Sequence, residues 1–136
     1  MSAARLLICD DVDDIRLLMR IAFEGDDDFE VVGEAANGEE GIRAARQLKP
    51  DAILLDLNMP VLGGLEALPQ MRRAVPDAAI VIFSGFEEWS RGSQARRCGA
   101  DAYIEKGTDV GEVLQLVKTV IEGRRSGGSS GASSVG

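Results

Sequence analysis

A chain of 136 residues holds about one domain with a single ordinary core, and 45% hydrophobic with 28% charged residues is the make-up of a soluble globular protein. The formal charge of −8 argues against an autonomous nucleic-acid binder, because phosphate contacts need clustered Lys and Arg; the acidity reads as solubility. There is no histidine, so a Ser-His-Asp or Cys-His site is excluded, and the two cysteines, Cys9 and Cys98, make neither a disulfide framework nor a zinc motif.

Along the chain, short apolar runs alternate with segments of helical period. The first run, residues 5–9, passes through Asp10 and Asp11 into a helix over 13–24, where Ile15, Leu18, Met19 and Ala22 repeat at i, i+3, i+4 and i+7. Asp26-Asp27-Asp28, the densest acidic run, reads as a solvated loop before the second strand, 29–35. Gly33-x4-Gly38 has P-loop spacing, but Glu39-Glu40 stands where Lys and Ser/Thr are needed, so nucleotide binding of that kind is not expected. The second helix covers 37–49, with Asn37 as N-cap, Glu40 three residues on and Pro50 as the stop. A third strand, 52–55, precedes a Gly63-Gly64 loop and a helix over 64–75, whose start should be irregular because Pro69 fits best in a first turn. The fourth strand is 79–83 and the fourth helix 87–98, ending at Gly99; Trp89 near its start either packs or anchors a partner. The fifth strand is 102–104, and the last helix runs over 108–122 from Thr108 as N-cap to Gly123.

Five strands in strict alternation with five helices give an α/β three-layer sandwich around a parallel sheet, and right-handed crossovers without a second Rossmann half favour the order 2-1-3-4-5. From 126 to 136, nine of eleven residues are Gly or Ser, so residues 1–123 form the expected domain and 124–136 a disordered tail or linker. No apolar run approaches the ~20 residues of a membrane helix, and the start lacks a signal peptide's apolar region, so a reduced cytoplasmic setting is expected.

Ligands of open parallel sheets bind at the carboxyl ends of the strands. Asp10 and Asp11 follow the first strand, Asp56 the third ("AILLDLNMP"), Ser84 the fourth ("IVIFSG") and Lys106 the fifth ("AYIEKG"). Three carboxylates in one cleft need a cation, and oxygen-only ligands suit Mg²⁺ better than Zn²⁺. A carboxylate beside Mg²⁺ and Lys can attack phosphorus, with the Ser84 hydroxyl bonding a phosphoryl oxygen. The rival reading of any one such acid is a helix cap or turn residue; Asp13 and Asp14, in the first turn of the first helix, take that role.

The set "LLICDD", "AILLDLNMP", "IVIFSG" and "AYIEKG" resembles the receiver domain of two-component response regulators over residues 4 to about 123. The resemblance implies phosphotransfer from a sensor histidine kinase, or a phosphotransfer protein, to Asp56 with Mg²⁺. Asp10, Asp11, Asp56 and the backbone carbonyl of Asn58 would hold the metal. Ser84 would follow the phosphoryl group, Lys106 would pair with it, and Tyr103 would be the aromatic switch, on the strand face opposite Lys106 toward the fourth and fifth helices. The face of the fourth helix, fifth strand and fifth helix would then signal to a protein target, to an output domain outside this chain such as a DNA-binding one, or through a phosphorylation-dependent homodimer. The family often has Pro after the lysine; here Gly107 stands instead, and either a cis peptide costing ~2.5 to 4 kcal/mol or an unusual glycine φ would aim Lys106 inward. Such a domain catalyses only its own phosphotransfer and dephosphorylation. The rivals are an aspartate-nucleophile phosphatase of the haloacid dehalogenase type, which needs a carboxylate where Asn58 stands, and a phosphorylation-independent adaptor, against which the complete quintet argues.

Overall fold

The computed structural model describes residues 2–85 and 92–127. Ten elements follow in order: β1 (Ala4–Cys9), α1 (Asp13–Glu24), β2 (Phe29–Ala35), α2 (Gly38–Leu48), β3 (Ala52–Leu55), α3 (Gly64–Ala74), β4 (Ala79–Ser84), α4 (Gly92–Arg97), β5 (Ala102–Glu105) and α5 (Val110–Gly127). All strand pairs are parallel and the sheet order is β2-β1-β3-β4-β5, as the alternation of elements implies.

The three central strands, β1, β3 and β4, are buried on both faces, which is why they read as continuous apolar runs, whereas the edge strands β2 and β5 are largely half-buried. Leu7, Cys9, Ile53, Leu55, Ile80 and Ile82 face a cluster shared with α2, α3 and α4. Leu6, Ile8, Ala52, Leu54, Val81, Phe83 and Ile104 face a second cluster with Met19 and Phe23 of α1 and Val113, Val117 and Ile121 of α5. Phe23 also meets Phe29 edge-on, at 4.7 Å between ring centroids. Leu18 departs from its expected inward position: it is 48% exposed, because the buried stripe of α1 runs through Met19 and Phe23.

Three element ends differ from the sequence reading. α3 starts regularly at Gly64, so Pro69 lies in its second turn; the missing N–H is tolerated because Leu65, Ala67, Leu68 and Met71 anchor the helix in the core. The cap of α5 is Asp109 and not Thr108: its Oδ2 accepts the Gly111 amide at 3.1 Å and its carbonyl the Val113 amide at 2.9 Å. The same helix passes Gly123, costing about 1 kcal/mol, and ends at Gly127. Arg124 explains the extension, since it donates to the Pro76 carbonyl at 2.8 Å, the Asp77 carbonyl at 3.1 Å and Asp101 Oδ1 at 2.6 Å. The expected start of the fourth helix, with Trp89, and the tail from 128 on lie outside the described residues. Among the described residues no helix is long and apolar enough to cross a membrane.

Candidate functional site

Register sets the site. Cys9 pairs with Leu55 and Leu55 with Ile82, so residues following β1 and β3 and the last residue of β4 share one edge of the sheet. Asp10 and Asp56 are each 3% exposed, Ser84 is fully buried, and Asp11 faces solvent.

Asp56 is held on three sides. Its amide donates to the Cys9 carbonyl at 2.9 Å. Its Oδ1 accepts from the Ser84 hydroxyl at 2.8 Å and the Asn58 amide at 3.2 Å, and its Oδ2 from Lys106 Nζ at 3.1 Å. Lys106 Nζ also lies 2.9 Å from Asp10 Oδ2, while Asp10 Oδ1 accepts the Val12 amide at 2.9 Å. Lys106 is aimed by the bond of its amide to the Ser84 carbonyl at 2.7 Å and by the next residue, Gly107, at φ 100°. That is a conformation glycine adopts without strain. Among the described residues no peptide bond is cis. Gly64 has its own reason to be glycine: a Cβ there would collide with the Asp56 carbonyl.

Carboxylate oxygens of Asp10, Asp11 and Asp56 come within 4.8 Å of one another. Three carboxylates face one ammonium. Burial raises the Asp10 pKa above its ordinary value, against the pull of Lys106 and the Val12 amide. Burial also works against the Lys106 charge, but Asp10 and Asp56 outweigh it and hold that pKa above the ordinary one. The excess of oxygen donors, with Asp11 and Asn58 opening on the same cleft as Asp56, Ser84 and Lys106, fits a hard divalent cation. Cys9, directly behind Asp10, supplies no thiolate: burial, with Asp10 and Glu40 nearby, pushes its pKa up to about 12.

The five strand-end residues therefore meet, and Asn58 stands exposed beside Asp56. Tyr103 donates to the Gly85 carbonyl at 2.9 Å. It packs half-buried against the cluster of α2, α3 and α4, so its side is that of α4 and not of α5, which belongs to the opposite cluster. Asp26 and Asp28 belong to the other end of the sheet, where Lys118 Nζ pairs with them at 2.8 and 3.1 Å; the acidic loop is tethered and not simply solvated. Arg16 was not legible as part of the site. Its NH1 donates to the Asp10 carbonyl at 2.6 Å, and the only hint in sequence is its i, i+3 spacing from Asp13.

The model of the response regulator receiver domain matches residues 6–118. The chain belongs to the response regulator receiver family. This receiver domain is 37% identical over 121 residues to the response regulator GacA of Pseudomonas viridiflava, an alignment covering 89% of this chain and 56% of that protein. It is also 37% identical over 115 residues to the transcriptional regulatory protein YhcZ of Bacillus subtilis, covering 85% of this chain and 52% of that one. The receiver domain thus spans about half the length of these relatives. Among solved structures, a LuxR-family response regulator from an Aurantimonas species superposes with a TM-score of 0.83 at 32% identity, covering 90% of this chain and 88% of that one. The response regulator domain of Thermotoga maritima CheB gives 0.80 at 28% identity, covering 88% and 97%. This is a signalling domain of a two-component system.

Proposed function

We propose that this receiver domain accepts a phosphoryl group on Asp56 from a sensor histidine kinase or phosphotransfer protein. The observation that carries the reading is the convergence on the buried Asp56 carboxylate of Ser84, Lys106, Asp10 and Asp11, with no second acid/base carboxylate at Asn58. Asp10, Asp11, Asp56 and the Asn58 carbonyl would hold Mg²⁺, which when bound offsets negative charge on the phosphoryl oxygens. An Asp56 oxygen attacks phosphorus; an O–P bond forms as the N–P bond of the donor phosphohistidine breaks, and the imidazole leaves with the electron pair and takes up a proton. Lys106 balances part of the charge.

Phosphorylation adds about −1.5 to −2 charge and new acceptor oxygens. Ser84, released from Asp56 Oδ1, turns its hydroxyl to a phosphoryl oxygen. Gly85 follows Ser84 directly, so the carbonyl that holds the Tyr103 hydroxyl moves with it. Tyr103 then turns inward and remodels the surface formed by α4 and β5. Self-hydrolysis resets the switch, and no other turnover is assigned. The names of the relatives favour transcriptional output through a further domain, with a protein target or a phosphorylation-dependent homodimer as the other routes. Two free cysteines, one of them buried, suit a reducing cytoplasm.

Incubation with a small-molecule phosphodonor and Mg²⁺, followed by intact mass, tests the reading. One phosphoryl group is expected on the wild type and on Asp26→Ala, and none on Asp56→Ala. Labelling that survives Asp56→Ala overturns the site.

A further inference from the structure

The junction between β1 and α1 carries two of the three clustered carboxylates, yet α1 begins without a capping side chain, Val12 occupying the N-cap position. The Val12 amide is taken by Asp10 Oδ1 at 2.9 Å. Both peptide groups that flank Asp10 are held from outside the cluster. Its amide donates to the Ala35 carbonyl of β2 at 3.0 Å, and its carbonyl accepts from Arg16 NH1 at 2.6 Å. The second of these peptides leads into Asp11 and fixes the direction in which that residue leaves the sheet.

Arg16 is itself clamped. Its Nε donates to Glu34 Oε1 at 3.0 Å and its NH2 to Asp13 Oδ1 at 2.7 Å, and its side chain is 18% exposed. None of these bonds goes to the three clustered carboxylates. The guanidinium fork is satisfied by one carbonyl and by two carboxylates outside the cluster, which also neutralise it. A positive charge so placed orients the loop while leaving the negative field of the cluster to a cation.

We infer that Arg16 is a positioning residue of the cation site, setting the Asp10–Asp11 peptide through the Asp10 carbonyl, with Glu34 and Asp13 holding it in place. The inference rests on the reading of this cluster as a Mg²⁺ site. Two roles of Arg16 predict opposite signs. Were it only a nearby positive charge, its removal would strengthen Mg²⁺ binding, since Asp13 would be left unneutralised and Glu34 would keep only Arg20, at 3.2 Å. As a positioning residue, its removal weakens Mg²⁺ binding, by about tenfold for a group that orients ligands from behind.

Isothermal titration with Mg²⁺ alone reads the sign directly, with unfolding in EDTA as a check on folding. Arg16→Ala is expected to bind Mg²⁺ about tenfold more weakly than the wild type. Arg16→Lys is expected to fall between, because one ammonium cannot serve three acceptors in fork geometry. If Arg16→Ala does not fold, Arg16→Lys decides alone. Equal or tighter Mg²⁺ binding by the folded variants overturns the inference and leaves the Mg²⁺ site standing. A wild type that takes up no Mg²⁺ overturns both.

Discussion

The two ends of the sheet each hold a part-buried ionic cluster, and they are built on opposite terms. At the carboxyl end, Lys106 pairs with Asp10 and Asp56, Asp11 lies within reach of the same two carboxylates, and Asp11, Asp56 and Lys106 open on a cleft. At the amino end, Asp101 lies between Arg72 and Arg124, and protein atoms take up the donors and acceptors. Arg72 donates to the carbonyls of Gly99, Val75, Pro76 and Ala78 as well as to Asp101 Oδ2 at 2.9 Å, and Asp101 Oδ2 also takes the Ile80 amide at 2.8 Å. The amino-end cluster is complete in itself and ties α3, β4, β5 and α5 together. The carboxyl-end cluster is short of positive charge. One end holds the fold, and the other is left able to bind and react.

The contrast predicts mutational effects of different size and sign. Arg72→Ala leaves Asp101 with one cationic partner and strands carbonyls, and leaving these part-buried groups short of a donor costs about 3 kcal/mol. Urea unfolding should show that loss, while phosphoryl uptake persists below the lowered melting temperature. Next in size is the metal. Mg²⁺ at a hundred times its Kd should stabilise the domain by about 2.7 kcal/mol, read as a raised melting temperature; Asp11→Asn should lose most of that rise and Arg72→Lys none of it. An undiminished rise in Asp11→Asn would remove Asp11 from the metal site.

Smaller still is the effect of Asp10 without metal. Its folded pKa lies above the ordinary 3.8 because burial disfavours the charge, so the folded state binds the proton more tightly than the unfolded one. Stability in EDTA should therefore fall as pH rises from 3.8 through the raised folded value, and Asp10→Asn should unfold at higher urea than the wild type near neutrality. Lys106 acts at the other extreme: its raised pKa gives stability complete below 10.5 and lost as pH climbs through the folded value. The smallest effect belongs to the tether at Lys118. It lowers the Asp26 pKa, so its contribution is present above 3.8 and disappears as pH falls through the folded value. Asp26→Ala should flatten only that acid limb of the unfolding curve and leave phosphoryl uptake unchanged.

Sequence alone determined the alternation of elements, the strand order and the five residues at the strand ends. Each rests on a local pattern: apolar runs where both faces of the sheet are covered, and a polar residue where the run stops. Asn37 was legible for the same reason, since a cap and the amide it satisfies lie three residues apart, and the Glu40 amide does donate to its Oδ1 at 2.9 Å. Tertiary structure decided what depends on partners distant in the chain. α5 outruns Gly123 because Arg124 meets Pro76, Asp77 and Asp101. Leu18 faces out because the sheet takes Met19 and Phe23 instead, although the helical spacing admits either stripe. Arg16 reads in sequence as one more charge on a helix; only the fold lays Glu34 of β2 beside it and turns its guanidinium back onto the Asp10 carbonyl. Periodicity fixes which residues share a face, but the partner of that face is chosen by packing between segments that the sequence keeps apart.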